Sequence, residues 1–202
     1  MTVIDISASR DTYLQSNEAT TVKGSTGTIW TGEPNNQASA IHNMLLYFDM
    51  SSVPAGSTIN SATLYLRHFN SDYADNARTM QVYRVIRAWV ENQATWNVAK
   101  TGTNWGTAGC NNTTTDYDST SLGSRLISAT EAAGWKTWTL DAAVIQDIVD
   151  GDVDYEGFLL RSGTQSNDAQ AYRSKDYGTN TPYLQVDYTV SGMQFQAIMI
   201  GG

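Results

Sequence analysis

The chain is poor in several residues that carry chemistry or covalent reinforcement. Of its 202 residues one is cysteine, Cys110, so no internal disulfide exists. Two are histidines, His42 and His68, which leaves few bases to activate a nucleophile. Lys and Arg together number 12 against 20 Asp and Glu, and the resulting net charge of -8 repels a phosphate backbone, which argues against a nucleic-acid partner. No apolar run approaches the ~20 residues that cross a bilayer. The chain opens Met-Thr-Val-Ile-Asp, without the basic and apolar regions of a secretory signal. With three prolines and 10% aromatics, the composition excludes a disordered chain. A domain of this length buries roughly 70% of its unfolded surface.

What is present is alternation. From Asn43 to Phe69, Met44, Leu46, Phe48 and Met50 share one face of an extended segment, and Ala62, Leu64 and Leu66 repeat the pattern. Val53-Pro54-Ala55-Gly56 between them is turn chemistry. The two segments read as a pair of core strands around which the rest is arranged. A short first strand is expected at Thr2 to Ile6, and further strands at Thr28-Ile29-Trp30, Met80 to Ala88, Gly134 to Leu140, Gly157 to Arg161, Ala171 to Arg173 and Tyr183 to Tyr188. Asp141 as N-cap, apolar residues at 144, 145, 148 and 149, and Gly151 at the end predict one short helix. Many short strands without β-α-β alternation predict an all-β fold, a single jelly-roll β-sandwich with one inserted helix. The domain should span residues 1–190, followed by an apolar tail at 191–202.

No residue pattern selects a catalytic centre. His42 and His68 are close enough in the predicted strands to be neighbours, but polar strand rims account for them. Cys110 reads as an inert loop thiol. Asp150-Gly151-Asp152-Val153-Asp154-Tyr155-Glu156 spaces carboxylates like a calcium loop, yet lacks glycine at its sixth position and an acid at its twelfth. A solvated turn is the simpler reading, and calcium binding there is left open. The expectation is therefore a non-enzyme without metal or cofactor. Six tryptophans and eleven tyrosines raise sugar stacking. Trp89, Trp96, Trp135 and Trp138 fall in strand-like contexts and are expected in the core. Trp30, Tyr73, Trp105, Tyr117 and Tyr177 fall in loops and are the candidate glycan platform. The loop from Val98 to Ser124, which holds two of them, is long enough to be functional.

Several segments resemble the disaggregatase-related DNRLRE domain: Leu45-Leu46-Tyr47-Phe48-Asp49, Ser51 to Ile59, Val82-Tyr83-Arg84-Val85, Arg87-Ala88-Trp89, Ala94-Thr95-Trp96-Asn97, Gly157 to Ser162 and Thr181-Pro182-Tyr183-Leu184. The resemblance covers about residues 10 to 189. It implies a jelly roll without catalysis, found as accessory or polysaccharide-binding modules of large secreted bacterial proteins and in phage genomes. Two readings follow. The first is a phage virion surface component, a capsid decoration or tail appendage subunit with glycan-binding capacity. In it the tail residues Met193, Phe195, Ile198, Met199 and Ile200 dock on a capsid or tail protein or on a second copy, because such side chains are an apolar liability when exposed. The second is an extracellular carbohydrate-binding module from a larger secreted bacterial protein that acts on polysaccharide. The stand-alone length and apolar tail favour the first, the loop aromatics the second.

Overall fold

The computed structural model describes residues 1–37, 39–70, 74–163 and 165–190. Tyr73 and the predicted docking tail (Met193, Phe195, Ile198, Met199, Ile200) lie outside the described residues. The strands are β1 (Thr2–Gln15), β2 (Thr28–Thr31), β3 (His42–Phe48), β4 (Ser57–Asn70), β5 (Arg78–Val85), β6 (Val98–Lys100), β7 (Thr103–Asn104), β8 (Tyr117–Ile127), β9 (Gly134–Leu140), β10 (Phe158–Ser162), β11 (Gln170–Arg173) and β12 (Tyr183–Val190), with one α-helix, α1 (Ala142–Asp150), among the described residues.

Strand pairing is antiparallel, in two layers that meet in β1. The first half of β1 pairs with β12, from Thr2 opposite Tyr188 to Ser7 opposite Tyr183. The second half pairs with β3, after a shift of register between Ala8 and Arg10. Such an irregularity bends a strand, and here it passes β1 from one layer to the other. One layer holds β2, β11, β4, β12 and the start of β1, with β9 on the other edge of β4; the second holds the rest of β1, β3, β10, β5 and β8. The all-β sandwich expected from alternation is therefore present, where the sequence pattern alone had suggested a short first strand in place of one continuous 14-residue strand.

Parity decides the core. Met44, Leu46 and Phe48 from β3 and Ala62, Leu64 and Leu66 from β4 are fully buried in one cluster with Phe158, Leu160, Tyr172, Leu184 and Val186. A buried Leu or Phe side chain contributes about 1.5–3 kcal/mol, so this interlayer seam dominates the fold. The strands β3 and β4 face each other across it. They do not hydrogen-bond side by side: β3 pairs with β1 and β10, and β4 with β12, β9 and β11. The helix covers one end of the core through Ile145 and Ile148. Asp141 accepts from the Ala143 amide at 2.9 Å, and Gly151 closes the helix with φ 78°, a left-handed conformation that suits glycine.

A second core lies on the outer face of the β3-containing layer. Leu14, Leu45, Val85 and Leu159 pack there against Trp89, Ala94, Ala99, Trp105, Cys110 and Tyr117. The segment expected as an open loop from Val98 to Ser124 is thus a folded cover. Its organiser is Asp116, fully buried, which accepts from the amides of Gly106 (2.7 Å), Thr107 (3.1 Å) and Asn112 (3.1 Å) and from Arg87 Nε (2.7 Å). A buried carboxylate is tolerable only with that degree of pairing.

Candidate functional site

The loop aromatics separate by burial. Trp105 is 5% exposed and Tyr117 7%, both inside the second core, and Trp105 Nε1 donates to the Thr95 carbonyl at 2.9 Å. Rings already packed on both faces offer nothing to a sugar, so these two candidates are structural. Tyr177 is exposed, with the Arg173 guanidinium 4.1 Å above its ring centroid. Trp30 is half-buried on β2, where Ile29 and Thr31 point into the core and Trp30 takes the opposite parity. Of the core tryptophans, Trp89 and Trp138 are buried as expected, whereas Trp135 is 38% exposed on β9.

Trp30 lines a cleft of about 230 Å³ with Tyr13, Gln15 and His42, roofed by Pro34, Asn36 and Gln37. Three strands build it. Tyr13 and Gln15 end β1, Trp30 comes from β2, and His42 opens β3, which bridges to Gly32 through backbone bonds of 2.8 and 3.0 Å. The His42 ring meets Tyr13 edge-on at 5.4 Å and lies tilted to Trp30 at 6.0 Å. Burial, then the nearby Lys23 charge, lowers the imidazole to a pKa of about 4, so it is neutral at physiological pH. His42 is 5% exposed, yet its Nδ1 has no hydrogen-bond partner. On the rim Lys23 Nζ pairs with Glu18 at 2.6 Å and stands 5.7 Å from the Tyr13 ring.

The other suggestive groups have partners of their own. His68 sits in the opposite layer from His42, edge-on to Tyr172 at 5.3 Å, so the two imidazoles do not form a pair. In the acidic turn, Asp150 accepts from Gln146 Nε2 at 2.8 Å and Glu156 meets Arg10 at 3.5 Å. Among the described residues the carboxylates that do converge are Asp11, Glu91 and Asp176. The Lys175 ammonium already stands 3.3 Å from Glu91 and 2.9 Å from Asp176, which fills the place a cation would take. Burial of Cys110 holds its thiol pKa well above the usual value, consistent with an inert sulfur.

The indole of Trp30, the phenol of Tyr13 and the neutral imidazole of His42 thus border one small, amide-edged cleft on the β-sandwich. The family model for carbohydrate-binding module family 96 matches residues 2–119, more than half of the chain, and the chain belongs to that family. No curated protein matches it. The match corrects the resemblance to the DNRLRE domain. The segments that carried it are strand and turn residues, which serve packing in any sandwich of this kind. It also favours the extracellular binding-module reading over the virion reading. Every residue of the Trp30 cleft lies inside the matched span. His42, Tyr13 and Gln15 were missed as site residues because the cleft joins three strands far apart in sequence. The available signal was a lone histidine at the head of a mostly apolar strand.

Proposed function

We propose that this chain is a non-catalytic, extracellular polysaccharide-binding module whose Trp30 cleft takes one sugar ring, at a chain end or on a branch. Family membership supports carbohydrate as the ligand class. The observation that carries the cleft assignment is the meeting of the Trp30 indole and the Tyr13 phenol with the exposed Asn36 and Gln37 amides around one cavity. A sugar supplies both complements, an apolar ring face for Trp30 and hydroxyls for the amides of Asn36 and Gln37. The volume is below the ~300–1,000 Å³ of pockets for larger ligands, which suits one ring better than a chain. Neutral His42 keeps binding insensitive to pH above about 5.

Calorimetric titration with soluble oligosaccharides tests the reading. Trp30→Ala should weaken binding about tenfold or more. Gln37→Ala, which removes one amide from the cleft edge, should weaken it about 2- to 12-fold, the worth of one hydrogen bond. Unchanged affinity in both variants overturns the cleft assignment.

A further inference from the structure

The outer face of the β4-containing layer carries a second aromatic group. Tyr65 on β4, Trp135 on β9 and Tyr183 on β12 come from three adjacent strands. Tyr65 lies opposite Tyr183 in register, and their rings stack at 4.5 Å with 8° between planes. Trp135, opposite Arg67, meets Tyr183 at 5.3 Å and Tyr65 at 6.4 Å, edge to face in both cases. All three stand at the outward parity, since their neighbours Leu64, Trp138 and Leu184 are buried in the core. Trp135 is 38% exposed.

The surroundings decide what this face suits. Thr63, Thr137, Thr139 and Gln185 share the outward parity, and Gln185 donates to Asp5 Oδ1 at 3.0 Å. The rings are therefore an apolar island among hydroxyls, amides and the charged side chains of Arg67, Asp5 and Asp187. A stable protein interface needs a wider apolar core than three rings within a polar field. Polysaccharide chains match the pattern, offering apolar ring faces for the aromatics and hydroxyls for the threonines and glutamine. The mutual packing fixes the rings, so little side-chain freedom is lost on binding.

We infer that Tyr65, Trp135 and Tyr183 form a second carbohydrate site, an open platform for the face of an extended polysaccharide chain. It rests on the reading of the chain as a carbohydrate-binding module, and it is separate from the Trp30 cleft. Trp135 and Tyr183 lie beyond residue 119, outside the span that matches the family.

The experiment compares retention on insoluble polysaccharides (cellulose, chitin, xylan and gelled alginate) with titration by short oligosaccharides of the same sugars. Trp135→Ala removes a ring, and Thr137→Arg leaves the rings in place while laying a long side chain across them. Both variants should keep the parent's affinity for oligosaccharides and lose about 2- to 12-fold on the polymer that retains the parent, the worth of one stacked ring. Thr137→Arg supports the platform even if Trp135→Ala proves unstable. Parent-like polymer retention by both variants, with Trp30→Ala abolishing binding, overturns the platform and upholds the cleft. Loss in the platform variants with no effect of Trp30→Ala upholds the platform and overturns the cleft. A parent protein retained by no polymer and titrated by no oligosaccharide overturns both.

Discussion

Replacing Trp105 by alanine distinguishes a structural aromatic from a binding one. The indole lies in the second core, in one cluster with Leu45, Val85, Trp89 and Leu159, at 5% exposure. Truncating a core tryptophan costs about 3–5 kcal/mol. The Thr95 carbonyl also loses the donor that lies 2.9 Å away, adding ~1 kcal/mol unless water replaces it. For a domain of this size each kcal/mol lowers the melting temperature by about 2–4 °C, so a fall of about 6–24 °C is expected. Cys110 belongs to the same cluster and is fully buried, so opening the cover should raise its reactivity toward a thiol reagent under native conditions. Affinity for soluble oligosaccharide should be unchanged at a temperature where the variant is folded. Scanning calorimetry, thiol labelling and titration on one preparation give all three readouts. A parent-like melting temperature with lost glycan affinity would refute the placement of Trp105 in a structural core.

Asp11, 1% exposed, has its pKa raised to about 7 by burial, the Lys175 amide opposing the effect. The folded state therefore keeps a proton that the unfolded state releases near pH 4, and Asp11 erodes stability as pH climbs from about 4 to 7. His42, lowered to about 4, acts in the opposite sense between pH 4 and 6.5, so the parent's own profile mixes the two. Asp11→Asn isolates the first: by chemical denaturation the variant should gain on the parent between about pH 4 and 7, by at most about 4 kcal/mol, and a pH-independent difference would contradict the assignment. Gly157 sits at φ 108°, and a Cβ there would collide with the Leu46 carbonyl of the neighbouring strand. Gly157→Ala should cost about 1–3 kcal/mol in backbone strain alone, and parent-like urea unfolding would show that β10 has room to shift.

Much of the fold was readable from parity. The inward sets of β3 and β4 and the caps of α1 follow from side-chain period and N-cap chemistry, and all stand where the sequence places them. Which strands become neighbours was not readable, because period fixes the face of a strand and leaves its partners free. Nor was the second core, whose cover is held by one buried aspartate accepting from backbone amides at 106, 107 and 112. Amides are present at every position and leave no mark in a sequence. Trp135 was assigned to the core although the parity of its own strand sets it apart from Trp138. Lys136 disguised the pattern, being a charged residue on the inward parity whose ammonium is paired with Glu131. The cleft needed three strands brought together, and among its residues only Trp30 stood with the loop aromatics chosen as candidates.

The pairing of Thr2 with Tyr188 gives the molecule a mechanical character. Tension applied across the two ends of the sandwich, at β1 and β12, acts at one edge of a single antiparallel ladder. Its rungs would part in sequence, from Thr2 toward Ser7, instead of resisting together in shear. Peeling would stall where the register shifts between Ala8 and Arg10, because beyond that point β1 is bonded to β3 in the other layer. Tyr13 and Gln15 lie on the protected side of that boundary. A module gripping a polysaccharide under load would thus yield length from its first strand while the Trp30 cleft stayed assembled.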